Sequence, residues 1–387
     1  MSRKSMHACL FALWGIALSA CNSDVGYSIV NNNVATIRQD FYVNFRKLYS
    51  IDVTDISLFN KRNYFKPLIA FDEMENIYIA DSYQGKIYKY DNKGRFVKSF
   101  GRQGQGPEEF YLISSLLIDE DVLRVFDGGG DIKNITLDGR FISRSRVSIP
   151  NRMGVRKLAD KYFVMAGETD FKKLKVKIST TDKNMLNFHN IIDYDHKPGI
   201  RGTYEYYMFD WLLITKKGEL YYPESNLEKY TIVKYDDKGA VLGKINRKYH
   251  MDGYSEDAKN RFFKVYKYEI DEGMIEFPPN PPAVNLIFQD LKENIWVLVG
   301  ETYEDNRNGE FENLVDIFDS GGKIVHSFKT KILSKNCLYN NGKIYRVRSM
   351  DETAAEQYID VYGIEYAPNF APDGAASSKR GDGNVDF

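Results

Sequence analysis

The chain has 387 residues, of which 53 are basic and 54 acidic, giving a formal net charge of −1. This balance excludes a dedicated nucleic-acid-binding protein, which would carry a strongly basic face. Aromatic residues make up 14% of the chain, mostly Tyr and Phe, and because these residues favour half-buried pleated surfaces the composition predicts a β-rich fold.

The first 21 residues have the three parts of an export signal. Arg3 and Lys4 supply positive charge, and the apolar stretch that follows at residues 8–18 is too short to cross a bilayer. Leu18-Ser19-Ala20-Cys21 then resembles a bacterial lipobox, in which the cysteine thiol takes the lipid. We therefore predict a signal peptide at residues 1–20 and a lipidated N-terminus and tether at residues 21–50. An ordinary secretory signal and an N-terminal anchor helix are the alternatives.

A short turn that ends in Gly or Asn recurs through the rest of the chain. Gly94, Gly139 and Asn184 occupy the same place in three copies and are spaced by 45 and 45 residues, and Gly239 and Gly322 end two further copies. Gly adopts a positive φ freely and Asn tolerates it, so the pattern predicts a positive φ at these positions. The repeat length is typical of one blade of a propeller.

The strand that should lie second in each repeat occurs six times, whereas the final hairpin occurs only five times. The six copies begin at Asn76, Val122, Tyr162, Glu219, Asn294 and Lys343. A sixth outer strand is therefore missing at the C-terminal end. We expect residues 55–59, upstream of the first repeat, to supply it by pairing with residues 358–366.

These observations predict an all-β fold, a six-bladed β-propeller of four-stranded blades at residues 51–370. An insertion at residues 247–282 between blades four and five is expected to contain a short helix, because Ser255 and two acidic residues are followed by apolar residues at helical spacing. The Gly/Ser/Asp-rich residues 371–387 are expected to form a disordered tail.

The first repeat and the glycine-rich segment after it, residues 65–81 and 100–110, resemble NHL-repeat propellers. More closely, they resemble the six-bladed β-propeller lipoproteins of Bacteroides-type bacteria. The resemblance implies a propeller outside the cytoplasm and implies no activity.

No complete catalytic constellation stands out. Gly101, Gly104 and Gly106 precede a proline and a strand rather than a helix, which favours an inter-blade connection over a phosphate loop. Gly128-Gly129-Gly130 between two Asp residues could hold a cation, but a hairpin loop is favoured. Four acids near the ends of the first strands, Asp72, Asp119, Asp210 and Asp290, leave calcium as a possible cofactor, although such acids more often cap turns. Cys337 is expected to be a small core residue.

All long connections should lie on one face of the propeller, and such loops usually carry function. The candidate ligand-binding residues are Arg102 in one loop and Arg201, Tyr204, Tyr206 and Tyr207 in another. The competing interpretation is that these tyrosines pack beneath the insertion.

The sequence therefore favours a non-enzymatic binding lipoprotein of the cell envelope, held on the outer membrane through its lipid. Its expected ligand is a glycan, a peptide or another envelope protein, and no nucleic acid. The alternative is a cation-dependent hydrolase or lyase with a site at the mouth of the propeller channel.

Overall fold

A computed structural model shows six β-sheets, one for each predicted blade. It describes residues 28–32, 42–56, 68–128, 130–147, 152–170, 173–196, 211–224, 229–249, 256–265, 267, 271, 283–300, 312–334, 336–348 and 357–367. The chain is a six-bladed β-propeller of four-stranded blades, as the repeat predicted.

The strands of the first five blades follow one another along the chain. Blade one contains β3 (Leu68–Phe71), β4 (Ile77–Asp81), β5 (Lys86–Tyr90) and β6 (Phe96–Phe100). Blade two contains β7 (Ile113–Asp119), β8 (Val122–Asp127), β9 (Asp131–Thr136) and β10 (Phe141–Arg146). Blade three contains β11 (Arg152–Leu158), β12 (Lys161–Asp170), β13 (Lys173–Thr181) and β14 (Phe188–His196). Blade four contains β15 (Leu213–Ile214), β16 (Leu220–Glu224), β17 (Thr231–Tyr235) and β18 (Val241–Arg247). Blade five contains β19 (Val284–Gln289), β20 (Ile295–Val299), β21 (Asn313–Phe318) and β22 (Ile324–Thr330).

Blade six joins the two ends of the propeller. Its strands are β23 (Cys337–Asn340), β24 (Lys343–Arg348), β25 (Tyr358–Ala367) and, from the N-terminal side, β2 (Tyr42–Asp52). The closing strand is thus Tyr42–Asp52, and the prediction that residues 55–59 pair with the last blade was wrong. Asp52 explains the difference, because its carboxylate accepts a hydrogen bond from the Thr54 backbone N–H at 3.0 Å and turns the chain out of the sheet.

A further strand lies inside the segment predicted to be a tether. β1 (Ser28–Asn32) pairs in parallel with β18 and gives blade four a fifth strand. The side-chain amide of Asn32 donates to the Gly322 carbonyl at 3.0 Å, and its oxygen accepts from the Ile324 N–H at 2.7 Å. Residues 28–32 and 42–50 therefore belong to the sheets, so the predicted start of the propeller at residue 51 was too late.

Consecutive strands within each blade run antiparallel, which separates the connections into two sets. Turns that join first to second and third to fourth strands lie on one side, here called the turn face. Loops that join second to third strands, and the connections between blades, lie on the opposite side, here called the loop face.

The repeated hairpin turn has the expected backbone conformation at its glycines. Gly94, Gly139, Gly239 and Gly322 have φ between 77° and 90°. In blade three, however, the residue with positive φ is Met185, at 55°, and not Asn184. The Asp182 carbonyl accepts the Met185 N–H at 3.0 Å, which places Asp182 where Asp91 stands in blade one and lengthens the spacing by one residue.

The apolar core is divided among the blade interfaces. Six clusters of buried side chains each join two neighbouring blades, and the cluster between blades six and one contains Ile51, Ile77, Tyr345 and Ile359. Cys337 is fully buried in the cluster between blades five and six, as expected. Closure by β2 therefore seals an interface as well as a sheet edge.

One helix is described, α1 (Glu256–Val265), and it lies within the predicted insertion between blades four and five. The predicted cap Ser255 lies outside the described residues, as do Cys21 and the tail at 371–387. Across the described part of the chain, no helix has the length and apolar character needed to span a membrane.

Candidate functional site

Acidic residues at the ends of first strands cap turns on the turn face. The Asp72 carboxylate accepts hydrogen bonds from the Met74 and Asn76 backbone N–H groups and from the Tyr78 hydroxyl. Asp290 repeats this arrangement, with Trp296 Nε1 as a buried donor at 2.8 Å. The predicted capping role is therefore what these two carboxylates perform.

Asp119 has a different role and joins blades two and three. Its carboxylate binds Lys157 and the Tyr162 hydroxyl of blade three and pairs with Arg124 at 2.8 Å. Burial by itself would raise the pKa of Asp119, but these hydrogen bonds and the Arg124 charge together lower it. Asp210 lies outside the described residues, and within the part that is described no three His, Cys, Asp or Glu side chains are grouped to hold a metal ion.

The glycine-rich connection between β6 and β7, residues 101–112, is the loop-face feature that the structure describes most fully. It closes on itself through backbone hydrogen bonds, from Phe110 N–H to the Arg102 carbonyl at 2.8 Å and from Gly104 N–H to the Phe110 carbonyl at 3.2 Å. The Phe110 side chain is buried between blades one and two. A Cβ at Gly101 would lie only 2.6 Å from the Phe110 ring, so this position requires glycine.

A buried ion pair in blade two fixes this loop to the scaffold. The Lys133 ammonium lies 3.1 Å from the Asp127 carboxylate, and both side chains are at most 3% exposed. Lys133 also donates to the Gly106 and Glu109 carbonyls of the loop. The Asp127 carboxylate accepts the Tyr111 and Leu112 N–H groups at 3.1 and 2.7 Å. The Lys133 ammonium and the Asp127 carboxylate therefore both bind backbone groups of the loop. These hydrogen bonds order the loop.

A second ion pair holds the outer part of the same loop. Arg102 Nη2 lies 2.7 Å from Glu109 Oε1, and Glu109 Oε2 accepts the Gly106 N–H at 2.9 Å. The hydrogen bond from Gly106 and the neighbouring Arg102 lower the pKa of Glu109. The Arg102 side chain remains 79% exposed, and it borders a cavity of about 570 Å³ together with Glu108 and Pro107.

Beside this loop lies a second cavity of about 300 Å³, here called the blade-two cleft. Its lining residues are Gln105, Tyr111, Asp127, Gly128, Asp131, Lys133, Arg144 and Arg146. Tyr111 is 56% exposed, so its ring is available at the edge of the cleft. The cleft therefore combines an aromatic surface with amide, carboxylate and guanidinium groups.

The charges in the blade-two cleft are not balanced. Lys133 is matched by Asp127, and Arg144 is matched by Asp131. Arg146 has no ion-pair partner among the described residues, which leaves one positive charge unmatched. Asp131 Oδ1 is buried and accepts no hydrogen bond from any described residue. The cleft thus offers the unmatched Arg146 cation to a ligand.

The structure brings only one of the predicted ligand-binding residues into this region. Arg102 lies on the connection at residues 101–112. The other four, Arg201, Tyr204, Tyr206 and Tyr207, lie outside the described residues. Gly128 and Gly130 belong to the hairpin between β8 and β9, as favoured from the sequence.

Sequence reasoning missed Tyr111, Lys133, Arg144 and Arg146. The alternation of Arg144 and Arg146 in β10 places them on the same side of the strand, and this signal was available. Nothing in the sequence marks Lys133 as buried, because two of its three partners, the Gly106 and Glu109 carbonyls, come from a loop more than 20 residues earlier.

Comparison with protein families supports the fold. Residues 60–210 match the model of family DUF5128, described as a 6-bladed beta-propeller. No curated protein matches the chain significantly.

Solved structures with similar shape are only distantly related in sequence. A DUF4221 family member from Bacteroides vulgatus is 12% identical, with a TM-score of 0.48 over 85% of this chain and 100% of that one. BamB from Moraxella catarrhalis is 10% identical, with a TM-score of 0.39 over 83% and 98%. Virginiamycin B lyase from Staphylococcus aureus is 10% identical, with a TM-score of 0.40 over 84% and 99%. These similarities carry no argument about function.

Proposed function

We propose that this propeller is a non-enzymatic binding lipoprotein of the cell envelope that recognises an acidic glycan in the blade-two cleft. The observation that carries the proposal is the pairing of an exposed Tyr111 and an unmatched Arg146 beside a loop that the buried Lys133–Asp127 pair holds in place. An ordered loop loses little conformational entropy when it binds, which favours affinity.

The side chains of the cleft fit a saccharide well. The Tyr111 ring offers a flat apolar surface with a polar tip, on which a sugar ring can stack. The amide of Gln105 can bond sugar hydroxyls, and Arg146 can form two parallel hydrogen bonds with a carboxylate or sulfate. A neutral glycan would leave Arg146 unmatched, so acidic sugars are favoured.

Lipidation at Cys21 and an outer-membrane location complete the proposal. The support is the charged, apolar and small-residue pattern of residues 1–21. In a Cys21→Ser variant we expect acyl labelling to disappear and the protein to leave the membrane fraction. Retained labelling and unchanged detergent partitioning would contradict the anchor.

Calorimetry with uronic-acid oligosaccharides and with neutral oligosaccharides tests whether the cleft binds acidic glycans. We expect the acidic sugars to bind and the neutral ones to bind at least about tenfold more weakly, a difference of about 1.4 kcal/mol. Tyr111→Ala and Arg146→Gln should each weaken binding of the acidic sugar by about tenfold, since each removes a main contact.

Tyr83→Ala is the matched control, because Tyr83 is 60% exposed in the loop between β4 and β5 and does not line the cleft. The affinity of the Tyr83→Ala variant for the acidic sugar should stay within about twofold of the wild-type affinity. If acidic glycans bind equally well to the Tyr111 and Arg146 variants, the cleft is not the site. If only peptides bind, the ligand class is wrong. A Tyr204, Tyr206 and Tyr207 triple alanine variant tests the second predicted loop in the same assay.

A further inference from the structure

The N-terminal strand β1 gives the propeller a direction relative to a lipid anchor at Cys21. β1 runs parallel to β18, and Ser28 pairs with Gly243, close to the turn that precedes β18. β1 therefore begins on the side of the turn face. The seven Cα–Cα steps from Cys21 to Ser28 span at most about 25 Å when fully extended. To reach the loop face, this segment would have to reverse and run the height of blade four beside β1.

Exposed apolar side chains are concentrated on the same side. The described residues include thirteen large hydrophobic side chains that are exposed, and nine of them lie in turn-face turns or within the first two residues of a strand that begins there. Six of these lie in or just before the fourth strands of blades one to four and are here called the apolar rim: Phe96, Val97, Ile142, Leu186, Phe188 and Leu242. Among the described residues, the loop face exposes four such side chains: Tyr83, Tyr111, Leu112 and Phe263 of α1.

Each turn that carries the apolar rim also exposes a basic side chain. Arg95 precedes Phe96, Arg140 precedes Ile142, and Lys183 and Lys238 stand in the turns before Leu186 and Leu242. In three of these turns the first acid, Asp91, Asp182 or Asp236, binds backbone N–H groups of its own turn, and Asp91 also pairs with Arg95 at 2.6 Å. A basic group next to an exposed apolar group suits the boundary between lipid phosphates and acyl chains.

Blade five provides an internal contrast. Val325 holds the place in its outer strand that Val97 holds in blade one, yet Val325 is only 5% exposed whereas Val97 is 50% exposed. Val325 belongs to the cluster between blades five and six, to which the extended β2 contributes Val43 and Phe45. The apolar rim therefore does not continue into blade five, because there β2 and the neighbouring core cover the equivalent side chain.

From these observations we propose that the turn face lies against the lipid bilayer, with the apolar rim at the headgroup level, and that the loop face points away from the membrane. The inference rests on the proposed lipid anchor. A short tether at blade four and the rim of blades one to four would together hold the blade-two cleft toward the surrounding solution, where a glycan can reach it.

Fluorescence quenching on membranes tests this orientation. The lipidated protein is placed in vesicles of phosphatidylethanolamine and phosphatidylglycerol that contain bromine-labelled acyl chains. A fluorophore is attached to Asn184→Cys on the turn face or to Tyr83→Cys on the loop face, since the native Cys337 is fully buried and Cys21 carries the lipid. We expect strong quenching at position 184 and none at position 83.

Substitution of the rim separates its contribution from that of the anchor. A Phe96→Ser, Leu186→Ser, Leu242→Ser variant should reduce quenching at position 184 by at least about twofold while the protein stays in the membrane fraction. A Tyr83→Ser, Leu112→Ser variant labelled at position 184 is the control, and its quenching should equal that of the protein without these two substitutions. Quenching at position 83, or unchanged quenching in the rim variant, would overturn the proposal. A detergent-stable dimer that the rim substitutions dissociate would assign the rim to a second copy and overturn it as well.

The outcome is independent of glycan recognition. If quenching behaves as expected but no acidic glycan binds, the proposed ligand fails and the orientation stands. If glycans bind but position 184 is not quenched, the orientation fails and the ligand stands. Loss of all membrane association would instead overturn the lipid anchor.

Discussion

The two faces of this propeller are built in different ways. On the turn face, short turns of similar sequence recur, and carboxylates such as Asp91 and Asp290 satisfy the backbone of their own turn. On the loop face, the connection at residues 101–112 is held by Asp127 and Lys133, which come from the neighbouring blade. The backbone of the turns at Asp91 and Asp290 is therefore ordered by local contacts, whereas the connection at residues 101–112 is ordered by contacts from the next blade.

This difference bears on the proposed binding function. A turn that is capped by its own carboxylate can recur in every blade, but it is short and has few positions at which side chains can vary. A loop held from outside can vary its exposed residues, because the groups that fix it belong to the scaffold. Tyr111 and Arg102 are exposed on a loop whose backbone is nevertheless hydrogen-bonded.

The largest effect is expected from removal of the buried charge that holds the loop. Lys133→Met leaves the Asp127 carboxylate buried without its cation and takes a donor from two loop carbonyls. We expect a loss of about 3–5 kcal/mol in the free energy of unfolding, measured by denaturant titration. The control is Lys93→Met, at an exposed turn position, which should change stability by no more than about 0.5 kcal/mol. Equal stability of the two variants would show that the loop is not fixed in this way.

Two capping acids of the turn face should differ in strength. Asp290→Ala leaves the buried Trp296 Nε1 and the Tyr366 hydroxyl without their acceptor, so we expect a loss of at least about 3 kcal/mol. Asp236→Ala removes an acceptor from two backbone N–H groups of an exposed turn and should cost only about 1 kcal/mol. Thermal and denaturant unfolding of both variants measures the difference. If the two variants lose the same free energy of unfolding, then the loss comes from the local capping bonds and not from the buried donors of Asp290.

The smallest effect concerns backbone strain in a turn. Glu120 has a φ of 56° and is exposed between β7 and β8, and a side chain in this conformation costs about 1–2 kcal/mol relative to glycine. Glu120→Gly should therefore raise stability by about 0.5 kcal/mol after the entropy cost of glycine is subtracted. The adjacent Asp121→Gly should lower it by a similar amount, because Asp121 does not adopt a positive φ. A destabilising Glu120→Gly would contradict the assigned turn geometry.

The local features of the turn face were largely predictable from the sequence. The blade number, the hairpin turns and the capping acids follow from residues within about six positions of one another. The errors arose where the repeat is irregular. Met185 shifts one turn by a residue, and Asp52 ends the closing strand earlier than the apolar residues after it suggested.

The candidate site was less predictable for a physical reason. The exposed Arg102 was found from its loop, but the cleft also depends on Asp131, Arg144 and Arg146, which come from β9 and β10. Their relation to Tyr111 is set by the long-range contacts that hold the connection at residues 101–112 against blade two. A repeat identifies blades, and it does not say which side chains meet between them.

Amide hydrogen exchange of the unmodified protein tests most directly whether the connection at residues 101–112 is held by the scaffold. The Tyr111 and Leu112 N–H groups donate to the Asp127 carboxylate, so we expect their protection to lie within about tenfold of that in the adjoining strand β7. Lys133→Met should abolish this protection at residues 111 and 112 while the Gly94 amide of the turn face keeps its own. Exchange of Tyr111 and Leu112 at the rate of a free loop in the unmodified protein would contradict the account.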